Sequence, residues 1–279
     1  DPTFGAAYAE LALNAIMRGA FGYVLMDESL REDVQLNTDR ALKLDERLAE
    51  AYVALALTWE FIDHDSEQAA RFAQHSVKLD PGNTEAIQEE AFILGRLGRF
   101  DEAFSGMKQT LSLDPLSTSA LNGLGYLHLY QDSYAEAISE MRNLLGIDPS
   151  HFLARFVISL AHAGLGEYER SLVELAEVPD EQRNIHVIAQ RGFLSGKMGE
   201  SGNAERHKAA LELEFADDPL FSFSLALIEL GLGDEDRCVE ALRASHEKHG
   251  FIYRDKTIGR DFRMDELQGR IQREGLIYV

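Results

Sequence analysis

The sequence predicts an all-α fold, an α-solenoid of about seven helix-turn-helix repeats. Three observations carry that prediction. Pro81, Pro115 and Pro149 stand 34 residues apart, each after an aspartate, in the runs VKLDP, LSLDP and LGIDP. Two amphipathic segments separated by a short turn fill each interval. No strand-like alternating segment competes with them anywhere. Self-similarity at a fixed period of this length marks stacked repeats. A single repeat cannot bury its apolar face alone, and a stacked neighbour can.

Each element follows in order. Residues 4–45 hold the first pair, with Tyr8, Leu11 and Ala12 on its first helix and a longer turn after it. Ser29 and Glu32 read as a capping box opening the second helix. Residues 49–80 supply Tyr52, Leu55, Ala56 and Trp59, then gain about one residue in the turn before Ala69. Upstream of them, LKLD at 42–45 has the repeat ending with Glu46 in place of proline. In 84–114 the first helix stops at Gly98, a residue suited to a left-handed turn. The second stops at Asp114, because a residue before proline is pushed out of helical geometry. Residues 118–148 repeat the scheme, with Ser133 and Glu136 as another capping box. Residues 152–178 have a short second helix that stops at Pro179. The last two pairs are 185–215, with Gly199 and Ala204, and 219–249, with Gly233 and Cys238. Residues 250–279 form a tail whose Phe251, Ile252, Tyr253, Leu276, Ile277 and Tyr278 cap the last repeat.

Composition narrows the function. The 279 residues include 45% hydrophobic ones, enough for a packed core. With 27 Lys and Arg against 48 Asp and Glu, the net charge is −21. A nucleic-acid backbone or an anionic membrane surface would be repelled. A basic or amphipathic partner is preferred, its binding weakened by salt. The lone Cys238 excludes an internal disulfide and a cysteine-ligated metal. No apolar run reaches the length of a membrane span, and no signal peptide is present. The chain opens at Asp1 rather than Met, so it is read as part of a longer protein with an N-terminal partner domain.

Catalytic and metal motifs are wanting, so neither a cofactor nor a metal is expected. There is no phosphate loop, no dinucleotide fingerprint and no nucleophile elbow. His128 and His162 lie one repeat apart and are read as packing residues in equivalent slots. His246 and His249 share a helix face, without the further ligand that a zinc site needs. Cys238 occupies a slot for a small residue, and Trp59 one for a core aromatic. Asp63, Asp65, Asp234 and Asp236 stand in turns, where aspartate caps helices.

These slots carry a resemblance. Residues 84–148 resemble tetratricopeptide repeats (TPRs). The family's large, small and proline positions are matched by Leu121, Leu124, Gly125, His128, Ala137, Met141, Leu144 and Pro149. One repeat earlier they are Ile87, Glu90, Ala91, Leu94, Ala103, Met107, Thr110 and Pro115, of which Glu90 departs from the pattern. The opening DPTFGAAYAELA and the second repeat are similar to C-terminal TPR arrays of bacterial class III adenylate cyclases and winged-helix regulators. Phe61-Ile62-Asp63-His64-Asp65 keeps the two aspartates of their aromatic turn and lacks its tryptophans. Asp261, Phe262, Arg263 and Leu267 match remnants of their terminal segment.

The resemblance implies a right-handed superhelix whose first helices line a concave groove. Glu85, Gln88, Phe92 and Arg96, then Asn122, Tyr126 and Tyr130, then Phe156 fall on that surface. Amides would hold a peptide backbone, aromatics its side chains, and Arg96 a carboxylate. The lysine-and-asparagine clamp of chaperone-binding TPRs is absent. The expected function is a non-catalytic protein-interaction module, the C-terminal regulatory part of a cyclase-like signalling protein. The alternatives are the arm of a winged-helix regulator and a free-standing homo-oligomeric scaffold. The expected location is the cytoplasm, or the periplasm for a membrane-tethered regulator.

Overall fold

The computed structural model describes residues 4–20, 27–179 and 184–249. Among them are fourteen helices and no strand. The helices follow one another as seven pairs: α1 (Gly5–Ala20) and α2 (Glu28–Leu44), α3 (Ala49–Phe61) and α4 (Ser66–Leu79), α5 (Thr84–Arg96) and α6 (Phe100–Leu113). The next are α7 (Thr118–Tyr130) and α8 (Tyr134–Ile147), then α9 (Phe152–Gly164) and α10 (Tyr168–Ala176). The last are α11 (Ile185–Lys197) and α12 (Ser201–Phe215), then α13 (Phe221–Leu232) and α14 (Glu235–His249). They divide into two compact units, Asp1–Leu127 and His128–Val279, so the division falls within α7. The tail expected to cap the last repeat lies outside the described residues.

One backbone device recurs in the turns inside the second to seventh pairs. His64, Gly98, Asp132, Gly166, Gly199 and Gly233 all have positive φ, between 58° and 79°. In five of these turns the next residue donates its N–H back across the turn: Arg99 to Leu94, Ser133 to His128, Glu167 to His162, Glu200 to Ser195 and Asp234 to Glu229. That bond, with a second from Gly98 N–H to the Gly95 carbonyl, is the Schellman arrangement. It satisfies carbonyls that the ending helix leaves open. At 61–65 the bond runs from Asp65 to Trp59, one residue longer, which is the insertion the sequence suggests there.

Two helix starts differ from expectation. Ser29 lies inside α2, and the cap is Asp27, whose carboxylate accepts the Leu30 N–H at 3.0 Å. A carboxylate there answers the positive end of the helix dipole as well as an orphan donor. Ser133 does precede α8, but its hydroxyl makes no cap bond. Its φ of −85° and ψ of 64° are set by the Schellman turn before it, which leaves the side chain out of capping position.

A second device makes the turn between pairs. The aspartate of each Leu/Ile-Asp step ends a helix with its own N–H, as Asp80 does on the Ser76 carbonyl. Its carboxylate then accepts the N–H two residues on: Arg47 to Asp45, Gly82 to Asp80, Leu116 to Asp114 and Ser150 to Asp148. These are Asx turns, so the motif works through its aspartate as much as its proline.

Packing follows the small slots. Ala69, Ala103, Ala137, Ser171, Ala204 and Cys238 occupy equivalent places in the second helices and are fully buried. In the first unit, Ala12, Leu13, Ile16, Val34, Val53, Ala54, Leu57 and Ala86 form one cluster from α1, α2, α3 and α5. Beside it, Ala56, Ala69, Ala70, Ala73 and Ile93 gather Trp59 and Phe72, which stack at 6.4 Å. In the second unit, α11 and α13 pack backbone to backbone. A Cβ on Gly196 would lie 2.4 Å from the Gly231 carbonyl carbon, and one on Gly231 would lie 2.4 Å from the Phe193 oxygen.

Candidate functional site

The expected groove residues fall in both units. Glu85, Gln88, Phe92, Arg96, Asn122 and Tyr126 belong to the first, and Tyr130 and Phe156 to the second. On α5, Gln88, Phe92 and Arg96 recur every four residues, which puts them on one helix face. All three are partly exposed, whereas Ile87, Ala91 and Leu94 behind them are buried. Gln88 Nε2 donates to the Thr84 carbonyl at 3.0 Å, so one of its two amide hydrogens is taken up by its own helix. Phe92 reaches α7, where a Cβ on Gly123 would meet its ring at 3.3 Å. Tyr126 is partly exposed on α7. Asn122, next to Gly123, is 8% exposed, and its Oδ1 accepts no hydrogen bond.

In the second unit Tyr130 and Phe156 are buried. The Phe156 ring packs against Phe152 at 5.8 Å and His186 at 6.2 Å. Burial holds the His186 imidazole below its usual pKa, with Asp218 opposing.

Arg96 is engaged from within. Its Nε lies 2.7 Å from an oxygen of Glu60 on α3, a residue 1% exposed. Its guanidinium also sits 5.2 Å from the centre of the Phe61 ring. The expectation that Arg96 takes a partner's carboxylate meets this competition, because Glu60 already provides one. Around the pair the field is acidic. Burial pushes the Glu89 carboxyl up to about 7, with Arg96 opposing and the Glu85 charge adding to it. Glu85 is raised by desolvation first, then by the charges of Glu10 on α1 and Glu50 on α3. Glu90, the departure from the repeat pattern, is raised mainly by burial and offset by Arg99 and Lys78. It sits in α5 without breaking the helix.

Sequence reasoning passed over Glu10, Glu50, Glu60 and Glu89, because carboxylates abound in this chain. One signal was available: α3 contains two glutamates and no Lys or Arg. The buried Glu60 partner stands on another helix, and no local spacing reveals it.

The other candidates resolve as packing. Cys238 is buried. His162 is buried too, and its Nδ1 lies 2.7 Å from Glu167. The His249 side chain lies outside the described residues. Among the described residues no group of three His, Cys, Asp or Glu is placed to hold a metal ion. Nor is any described helix long and apolar enough to cross a membrane.

Comparison with known proteins agrees with this fold. The tetratricopeptide repeat pattern matches residues 118–151. No curated protein sequence matches the chain. A tetratricopeptide repeat protein from Parabacteroides merdae is similar over 92% of this chain and 99% of its own, at 16% identity and a TM-score of 0.60. PilF of Pseudomonas aeruginosa is similar over 78% of this chain and 95% of its own, at 16% identity and a TM-score of 0.55. A TPR protein of Thermus thermophilus is similar over 70% of this chain and 100% of its own, at 22% identity and a TM-score of 0.52. At these identities the likeness is one of fold. The chain carries a tetratricopeptide repeat, and its fold is the all-α helical-pair array of tetratricopeptide-repeat proteins.

Proposed function

We propose that this chain is a non-catalytic protein-interaction module whose first unit binds a partner segment across α5 and α7. The observation that carries this is the row of Gln88, Phe92 and Arg96, partly exposed in front of a buried apolar layer. Tyr126 and the buried amide of Asn122 extend it on α7. Aromatic rings and amides on rigid helices suit a peptide: rings bury its side chains, and amides replace the hydrogen bonds its backbone loses with water. A photo-crosslinking residue tests this. Placed at Gln88 in the full chain, it should capture a partner that the same residue at Leu213, on α12 and 85% exposed, does not. Capture at Leu213 alone, or at neither site, overturns the proposal.

The finer role we propose is that of a regulatory arm in a cyclase-like signalling protein, or else in a winged-helix regulator. It is supported by the turn at 61–65 and the remnants at 261–267. The coding sequence upstream of Asp1 tests it: a cyclase or winged-helix domain supports the arm, and an unrelated domain removes it.

A further inference from the structure

We propose that the α1, α3, α5 and α7 face of the first unit reads a Lys- or Arg-bearing peptide segment, seating its cationic side chain among Glu10, Glu50, Glu85 and Glu89. This rests on the module reading above and adds the chemistry of the partner.

The first ground is charge. The three helices α1, α3 and α5 contain six glutamates, and their only basic residues are Arg18 and Arg96. Arg96 is held by Glu60 and offsets the Glu89 charge only in part. Glu85 and Glu89 stand one turn apart on α5, and Glu50 of α3 accepts a hydrogen bond from Nδ2 of Asn83, the cap residue of α5, at 3.3 Å; the charges of Glu10 and Glu50 both act on Glu85. The first ten residues of α7 carry no charge, so nothing there offsets them.

The second ground is independent of charge: two buried acceptors here lack donors. Asn122 Oδ1 and Glu60 Oε2 are both buried acceptors without a hydrogen bond. An unmet buried acceptor destabilises the fold, and a ligand bringing N–H groups to it would recover that loss. Asn122 is the α7 counterpart of Gln88 on α5, and its neighbour Gly123 is where Phe92 meets α7. One of the two Gln88 amide hydrogens is already used by its own helix. A face that presents acceptors and holds its one cation internally calls for a positive, donor-rich group. An ammonium brings three donors and a guanidinium five. A carboxylate side chain brings none and is repelled.

A bound cation would also favour the ionised form of Glu89. That carboxyl is near half-protonated at neutral pH, so binding should release about half a proton at pH 7. The groups facing it are Glu85 and Arg96, the latter held by Glu60.

The experiment uses the full chain and a fluorescein-labelled ten-residue peptide carrying three lysines among glycine and serine. Its counterpart has glutamine at the three lysine positions. Anisotropy should show the lysine peptide binding about tenfold more tightly. The double variant Glu85→Gln/Glu89→Gln should weaken it about fivefold or more. A matched variant on α12, Glu205→Gln/Glu212→Gln, removes two exposed carboxylates and should change it less than about twofold. Asn122→Ala should weaken it with an unchanged circular-dichroism melt. Calorimetry at pH 7 in two buffers of different ionisation heat should show proton release that Glu89→Gln abolishes. Equal loss in both double variants would mean a general field effect and overturn the subsite. So would equal binding of the two peptides. A crosslink at residue 88 to a partner without lysine dependence would leave the module standing and remove this inference alone.

Discussion

The Arg96 guanidinium ties α5 to α3 through Glu60 at 2.7 Å, with one carboxylate oxygen left without a donor. This pair is nearly dry, since Glu60 is 1% exposed and the Arg96 side chain 15%. Breaking one partner of such a pair strands the other charge. Arg96→Gln should therefore cost about 3 kcal/mol, and Glu60→Gln/Arg96→Gln less than the sum of its single changes. Urea denaturation of the four proteins closes the cycle. Additive losses would show that the two groups act separately.

Glu89 gives the first unit a pH dependence whose sign is fixed by its raised pKa. The folded carboxyl titrates near 7 against 4.5 in the unfolded chain. Between those values the folded state binds more protons, so its stability falls as pH rises and levels off above about 7. Glu89→Gln removes that fall. The variant should exceed the native protein by on the order of 2 kcal/mol at pH 8 and by under about 1 kcal/mol at pH 5. An equal gap at both pH values in chemical denaturation would refute the account.

The four glycines in the left-handed turns have open space around them, so only backbone strain opposes a side chain. Gly98→Ala should cost about 1 kcal/mol, and Gly166→Ala about the same. Gly146, inside α8, also has nothing within 4 Å of an added Cβ but has ordinary helical geometry. Gly146→Ala should stabilise by about 0.5–1 kcal/mol. Thermal melts of the three variants must show this opposite sign.

Gly196 and Gly231 pose a different test. Added Cβ atoms would meet backbone, not the flexible end of a side chain. Gly196→Ala should cost more than about 3 kcal/mol or prevent the second unit from folding. A melt within a degree of native would show that α11 and α13 part easily.

Much of the fold could be read from the sequence because its signals are local. Gly98, Asp114 and Pro149 act on the chain beside them, and Ala103 or Cys238 announces a tight crossing by its size alone. The capping boxes at Ser29 and Ser133 misled for a local reason too: Asp27 was a stronger cap, and the Schellman turn had already fixed Ser133. The site was less legible. Glu85, Gln88, Phe92 and Arg96 could be placed on one helix face by spacing. That Arg96 would be claimed by Glu60 depends on how α5 lies against α3. That Glu89 would hold its proton depends on burial, which no spacing encodes.

The shared turn has a consequence for how such a chain can change length. A deletion from Arg99 through Asp132 would join Gly98, at φ 77°, to Ser133, whose own predecessor stood at φ 62°. The splice would ask the backbone for nearly the bend it already makes. Whole blocks can thus be lost or duplicated between equivalent residues without inventing a new connection, which makes the 34-residue block a unit of exchange in the gene as well as in the protein.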